Sequence, residues 1–512
     1  MQNRAHDQVL ETIERYFGIR DDDAEAMLGG LDSVDIAGGD WLFKQGAAAD
    51  ALYFLVRGRL QVWVEPEVRG SESAPRLLGE ITPGESVGEI GLLTGGVRTA
   101  GIRAIRDSQL LRLDRQAFEH FAVRHPNLVM QLAGGVARRL TERTRPGSSA
   151  SRNLSTVALV PLDNSQWLPG FCDRLTDELR KRVSTLCLTA ADLGKHGAPV
   201  DALSPEDEIP GSLHRWLDAR ENDHRLLIYV ADEGDTPWSR LCIRQADMIL
   251  LLADAGGDPT PGQWETQLLN SDGATTARRA LILRHPARDS PISGTMKWLE
   301  GRDIEFHLHL RGDGDAETSR IVRMLMGDSV GLVLGGGAAR GFAEVGAYRA
   351  MHEAGVPIDW VGGTSIGGII GAAIALDQGP DYVTENSRKA FVEGKPFGDY
   401  TLPVLSLIRG RRMEKLTRHH LPGNIEDLPI PFFCISALLD NGEMRIHERG
   451  SIWRALRATA ALPGMLPPAV MEQRLVVDGS AVNNLPIDIM REKPVGRVVA
   501  VDVTTRRTYS VD

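Results

Sequence analysis

No CxxC pair, no apolar run long enough to cross a bilayer and no excess of positive charge occur in this sequence of 512 residues. Its four cysteines, Cys172, Cys187, Cys242 and Cys434, are scattered, which excludes a disulfide scaffold or a cysteine metal knuckle and leaves them as small buried hydrophobes in a reducing, cytoplasmic setting. The opening MQNRAHDQVLETIERYF has no signal core. The most apolar later stretch, Val361 to Leu376, is broken by Gly, Thr and Ser and falls short of the ~20 residues a spanning helix needs. A net charge of -11 removes the electrostatic footprint of a nucleic-acid binder. Histidine is also missing where a triad would need it: of 13 in the chain, none follows Asp478.

What is present is an ordinary globular composition, 42% hydrophobic and 25% charged, in a chain long enough for about three domains. From Val34 to Leu113, β-forming stretches such as ALYFLVRGRLQVWV are separated by glycine turns, which predicts a small antiparallel jelly roll with flanking helices. Leu128, Leu132, Val136 and Leu140 then recur at helical spacing, a face suited to pairing two copies, before a linker near Arg145 to Asn153.

Within the first region, GESVGEIGLLTGGVRTAGIRA has the materials of an anion site. A short helix after Gly88 aims backbone N–H groups outward, Arg98 offers a bidentate guanidinium, and Glu89 suits a partner that donates, such as a ribose hydroxyl. These residues resemble the phosphate cassette of cyclic-nucleotide-binding domains. The resemblance covers about the first 145 residues and implies Glu89 on the ribose, Arg98 on the cyclic phosphate, and Thr99 on the phosphate or purine, with cyclic AMP or cyclic GMP as regulatory ligand. A transcription regulator of that superfamily would continue into a basic recognition helix; here the chain continues into the strand STVALVPLD.

From Ser155 to about Arg311, continuous apolar strands alternate with amphipathic segments, the pattern of a buried parallel sheet in a doubly wound α/β domain. The turn after its first strand, DNSQWLPG, lacks a glycine-rich phosphate loop and a Lys-Ser/Thr pair. Arg240 and Arg244 lie one helical turn apart on what reads as a solvated face.

The last third begins with a strand, a glycine turn and a helix: DSVGLVLGGGAARGFAEVGAYRAM. Phe342 and Ala343 replace the Lys and Ser/Thr of a P-loop, and Ala338 replaces the middle glycine of a dinucleotide fingerprint. What remains is a row of sparsely covered N–H groups that suits a developing oxyanion as well as a phosphate. Then GTSIG, Gly363 to Gly367, sets Ser365 on a strand-to-helix turn, the arrangement of a nucleophile elbow. Asp478, before Gly479 in RLVVDGSAVNNLPID, is the best acidic partner, at a strand end. His419, His420 and His447 lack such a setting, so a carboxylate acting directly on the serine is the preferred base.

Glycine loop, GTSIG and DG in this order resemble the patatin-like phospholipases, and with the cassette in front the whole chain resembles the neuropathy target esterase family of lysophospholipases. The resemblance implies an α/β/α sandwich with Ser365 as nucleophile and Asp478 as base. It further implies oxyanion donors at Gly336, Gly337 and Ala338, and loop support from Gly335, Arg340 and Gly341, with Arg340 either steadying the loop or meeting the lipid phosphate. No metal or catalytic cofactor is implied. Two residues depart from the family pattern: Ala338 stands for a usual glycine and is tolerable if its φ is negative, and Ser480 follows DG where Gly or Ala is common. Three domains are expected, at 1–145, 154–325 and 328–512, with a C-terminal segment of relatives missing. The substrate would be a lipid ester met at a membrane periphery; the opposing reading is an inactive patatin scaffold switched by a nucleotide.

Overall fold

The computed structural model describes residues 31–65, 76–124, 154–163, 166–199, 211–270, 277–312 and 314–504, with single positions between them. The pairing helix expected near 128–140 lies, except for Met130 and Gly134, outside the described residues. Two compact units emerge, one formed by 1–150, 154–252 and 261–280, the other by 151–153, 253–260 and 281–512.

In the first unit, alternation within ALYFLVRGRLQVWV drives Ala51, Leu55, Leu60 and Val62 into one core while their neighbours face the other side. Strands β1 to β6 (Leu31–Ile36, Trp41–Phe43, Ala51–Val64, Arg76–Ile81, Ser86–Val87, Gly101–Asp114) form an antiparallel sheet, with β3 and β6 paired along most of their length. Two arginines of this sheet, Arg59 and Arg106, are each 2% exposed. Both reach Asp247, at 3.4 Å in each case, and Arg106 also reaches Glu221 at 3.0 Å. Asp247 is 3% exposed and accepts from the backbone N–H groups of Ser155 and Thr156.

A second sheet follows from the continuous apolar runs: β7 to β12 (Thr156–Pro161, Thr185–Thr189, Leu226–Val230, Met248–Asp254, Arg278–His285, Phe306–Arg311) in the order β12-β11-β10-β7-β9-β8. The β10–β7, β7–β9 and β9–β8 pairs are parallel, as apolar strands separated by helices require. The paired-arginine helix, Pro237–Gln245, is not simply solvated: Arg240 binds Asp235 at 2.6 Å and Arg244 binds Asp107 at 2.9 Å.

The second unit is organised by β13 to β19 (Val330–Leu334, Trp360–Thr364, Phe432–Leu438, Met444–His447, Ala469–Met471, Arg474–Asp478, Arg497–Val501), ordered β17-β18-β15-β14-β13-β19, with β16 beside β15. β13, β14, β15 and β19 run parallel, and β18 is antiparallel to β15. The helix Ile366–Ala375 is apolar all round and wholly buried, as expected of a central helix packed on the sheet. Among the described residues no helix is long and apolar enough to cross a membrane.

Candidate active site

β14 ends at Thr364 and the buried helix starts at Ile366, so Ser365 is the whole turn between them. It holds φ +55° and ψ -124°, a conformation that an L-residue keeps only when its surroundings impose it. The glycines on either side are there for space. A Cβ at Gly363 would meet the Gly367 carbonyl carbon at 2.6 Å, and one at Gly367 would strike the backbone of Leu334. The Ser365 N–H donates to Thr459 Oγ1 at 3.0 Å, which ties the elbow to a helix 94 residues further on.

The serine hydroxyl donates to Asp478 Oδ2 at 2.6 Å. β18 delivers this carboxylate opposite Ser436 of β15, and the Asp478 N–H donates to the Ala461 carbonyl at 3.0 Å. Its other oxygen accepts from the Ser480 N–H at 2.9 Å, and a Cβ on Gly479 would lie 2.5 Å from the Ile435 carbonyl. Asp478 is 1% exposed. Burial raises its pKa above the usual aspartate value, against hydrogen bonds from Ser365 and Ser480 that lower it.

The glycine loop passes close to the nucleophile: a Cβ built on Gly336 would lie 3.4 Å from both the Ser365 and Ser480 β-carbons. Two expectations for this loop need correction. The Gly336 N–H donates to the Asn484 carbonyl at 3.0 Å while Asn484 Nδ2 donates back to the Gly336 carbonyl, so this amide faces away from any oxyanion. Ala338 has φ +50°, not a negative value; with its side chain exposed at the head of a one-turn helix, the position pays backbone strain but meets no steric wall. Gly335 is an inner strut, its N–H bound to the Val501 carbonyl. Arg340 Nε donates to the Gly337 carbonyl at 3.3 Å, and a Cβ on Gly341 would strike Ile366. The Gly337 and Ala338 amides head the turn, where first N–H groups have no intrahelical acceptor.

The histidines stay out of this arrangement. His447 does end a strand, contrary to its sequence reading, but its Nε2 pairs with Ser436 Oγ at 2.8 Å, and burial pushes its pKa down to about 4. His419 and His420 lie at the end of the helix Arg411–His420. Three contributors escaped the sequence reading: Thr459, Asn484 and Glu344. The last is fully buried beside the glycine loop, its pKa pushed up to about 8 by burial. Thr459 acts through one polar contact and Asn484 through a reciprocal pair, all across long sequence separations, which leave no local signal.

In the cassette, Gly88 takes φ +87° before the helix Glu89–Thr94, and a Cβ there would strike Arg98 Nη1. Glu89 and Arg98 are 4% and 2% exposed, while Thr99 is exposed. Arg98 is already engaged: Nη1 donates to the Ala51 carbonyl at 2.8 Å and the Gly88 carbonyl at 3.2 Å, and Nη2 donates to Asp50 at 3.1 Å. Its guanidinium carbon lies 4.1 Å from the centre of the Phe43 ring. Glu89 and Arg98 fit a ribose and a cyclic phosphate in kind, but a phosphate would have to displace Asp50, which is 60% exposed and also bound to Arg112. Among the described residues no group of three or more potential ligands could hold a metal ion.

Residues 34–125 match the cyclic nucleotide-binding domain model, 153–327 the neuropathy target esterase family P-loop like domain, and 332–491 the patatin-like phospholipase domain. The patatin-like phospholipase domain-containing protein 7 of Mus musculus is 33% identical over 93% of this chain and 38% of its own length. The lysophospholipase nte1 of Aspergillus fumigatus is 30% identical over 92% of this chain and 36% of its own length. The chain therefore spans well under half the length of these curated relatives. Among solved structures, the N-terminal domain of a transcriptional regulator from Streptomyces coelicolor matches 26% of this chain and 94% of its own, at 27% identity and a TM-score of 0.22.

Proposed function

We propose that this chain, which by its three domains belongs to the neuropathy target esterase family of patatin-like phospholipases, hydrolyses the acyl esters of lysophospholipids and related lipids. The observation that carries the reading is the 2.6 Å hydrogen bond from Ser365 to Asp478 on a strained elbow.

In the first half-reaction Asp478 takes the hydroxyl proton as Ser365 Oγ attacks the ester carbonyl, and the carbonyl oxygen becomes an oxyanion facing the Gly337 and Ala338 N–H groups. Collapse of the tetrahedral intermediate breaks the ester C–O bond. The departing alkoxide takes the proton from Asp478, leaving Ser365 acylated. Water then attacks the acyl-serine, giving its proton to Asp478, and collapse returns that proton to Ser365 and releases the fatty acid. Burial makes Asp478 a stronger base than a solvated aspartate, which suits this work without a histidine.

The front domain is proposed to bind cyclic AMP or cyclic GMP as a regulator, with Glu89 on the ribose, Arg98 on the phosphate once Asp50 yields, and Thr99 at the purine. The protein is proposed to act in the cytoplasm at the membrane periphery; a reducing compartment is in keeping with its four free cysteines. Labelling by a fluorophosphonate tests the central claim: wild-type protein should react at Ser365, and Ser365→Ala should not. An unlabelled wild-type protein would leave a scaffold in place of an enzyme.

A further inference from the structure

The segment between Lys395 and Gly410 turns apolar side chains outward. Leu402, Val404 and Leu405 are 83%, 85% and 78% exposed, and Phe397, Tyr400 and Leu407 are exposed with them. Single exposed hydrophobics are ordinary; a contiguous run held in fixed geometry is not. Here the geometry is fixed. Thr401 N–H donates to the Leu407 carbonyl at 3.0 Å, Ser406 Oγ donates to the Ile408 carbonyl at 2.8 Å, and Ile408 is buried in the core as an anchor.

The projecting segment is joined to the catalytic base by backbone. Leu407 and Ile408 donate to the carbonyls of Gly464 and Met465 at 2.9 and 3.0 Å. That same loop carries Ala461, whose carbonyl receives the Asp478 N–H, and it exposes Leu462 and Met465. The apolar segment and the loop that holds the Asp478 backbone thus share one hydrogen-bonded frame and a set of exposed hydrophobic side chains.

Charge distinguishes its surroundings from the rest of the molecule. Between Lys395 and His420 stand six cations, Lys395, Arg409, Arg411, Arg412, Lys415 and Arg418, against Asp399 and Glu414, a local +4 on a chain of -11. Arg409, Arg411, Arg412 and Lys415 are exposed. Apolar side chains projecting beyond a basic flank match an anionic bilayer surface, with the apolar tip at the acyl boundary and the cations at headgroup level. A protein partner suits the tip less well, because leucine and valine are under-represented where protein interfaces concentrate their binding energy.

We infer that Leu402, Val404, Leu405 and Leu407, flanked by the basic helix Arg411–His420, dock the catalytic unit on anionic phospholipid membranes and bring the dyad to its substrate. The inference rests on the lipid-ester reading above, so the experiment reads docking and chemistry separately. The full chain is sedimented with vesicles of phosphatidylcholine alone and of equal parts phosphatidylcholine and phosphatidylserine, and hydrolysis of a short-chain soluble ester is measured beside it. Wild type should sediment with the mixed vesicles and less with phosphatidylcholine. Leu402→Ser/Leu405→Ser should lose vesicle partition by about tenfold or more while keeping its soluble-ester rate. Arg411→Gln/Lys415→Gln should lose the preference for phosphatidylserine. Wild-type protein that ignores both vesicles, a leucine variant that sediments like wild type, or a wild-type dimer that the leucine variant dissociates would overturn the docking surface. Absence of soluble-ester hydrolysis by wild type would instead overturn the esterase reading and leave the vesicle result standing.

Discussion

Ser365 directs its hydroxyl hydrogen to Asp478, the proposed base, whereas Arg98 directs its guanidinium to two carbonyls and to Asp50, which an arriving phosphate would have to displace. The elbow is organised around its reaction, and its strain at φ +55° is maintained by glycines that cannot be widened. The cassette is organised largely around itself: both terminal nitrogens of Arg98 are engaged by the protein, and only its buried Nε lacks a hydrogen-bond partner. A site of the first kind fails when one atom is removed. A site of the second kind can fail, or even improve, when a competitor is removed.

The sharpest break of this contrast is at the dyad. Ser365→Ala and Asp478→Asn should each lower ester turnover by about 10⁴-fold or more, with circular dichroism unchanged, while His447→Gln, His419→Ala and His420→Ala keep most activity. A folded histidine variant with no turnover would restore a triad. Protonated Asp478 cannot accept the serine proton, so turnover should fall on acidification at a higher pH than the ~3.9 of a free aspartate. The sign for stability is opposite. A raised folded-state pKa means that the native protein binds this proton more readily than the unfolded chain, so protonating Asp478 adds stability as pH falls through that window. A pH–rate profile with an acid limb at or below the free-aspartate value would remove the argument from burial.

Next in size is the loop. Gly337→Pro deletes one of the two remaining donors and should cost ~10² to 10³ in turnover with little change in KM; a defect confined to KM would assign the loop to the headgroup. Ala338→Gly relieves φ +50° and should stabilise the protein by about 1 kcal/mol in thermal or urea melts. No gain would mean that the surroundings impose no cost there.

The smallest effect belongs to Asp50 of the cassette. Arg98→Ala should abolish cyclic-nucleotide binding by calorimetry, whereas Asp50→Asn should strengthen it, by no more than about fivefold because Asp50 is mostly exposed. Weaker binding by Asp50→Asn would show that Asp50 positions Arg98 instead of competing with the ligand.

The parts of this picture that were legible in the sequence are local. GTSIG and the DG at the end of β18 are short patterns whose backbone demands are written in adjacent residues, and alternating or continuous apolar strands marked the sheets. What could not be read depends on distant partners. Asn484 holds both the N–H and the carbonyl of Gly336 from 148 residues away, and Thr459 caps the Ser365 N–H from 94. Asp50 meets Arg98 across 48 residues, so the cassette spacing was right while the state of its arginine was invisible. His447 was misread because a four-residue strand, Met444–His447, gives too short an alternation to announce itself.

Arg59 and Arg106 bear on how such a chain can be rearranged by recombination. Both guanidinium groups leave the front sheet to meet Asp247, and Arg106 meets Glu221, all within one compact unit. Transplanting the front sheet alone would part Arg106 from both its carboxylates, leave Arg59 with Glu80 alone and orphan the buried Asp247; breaking a buried pair from one side typically costs about 3–5 kcal/mol. A graft between relatives therefore has to carry Arg59, Arg106, Glu221 and Asp247 as one cargo, although they span 189 positions from first to last in the sequence. The natural cut for a chimera falls beyond β10, and not in the linker where the composition changes.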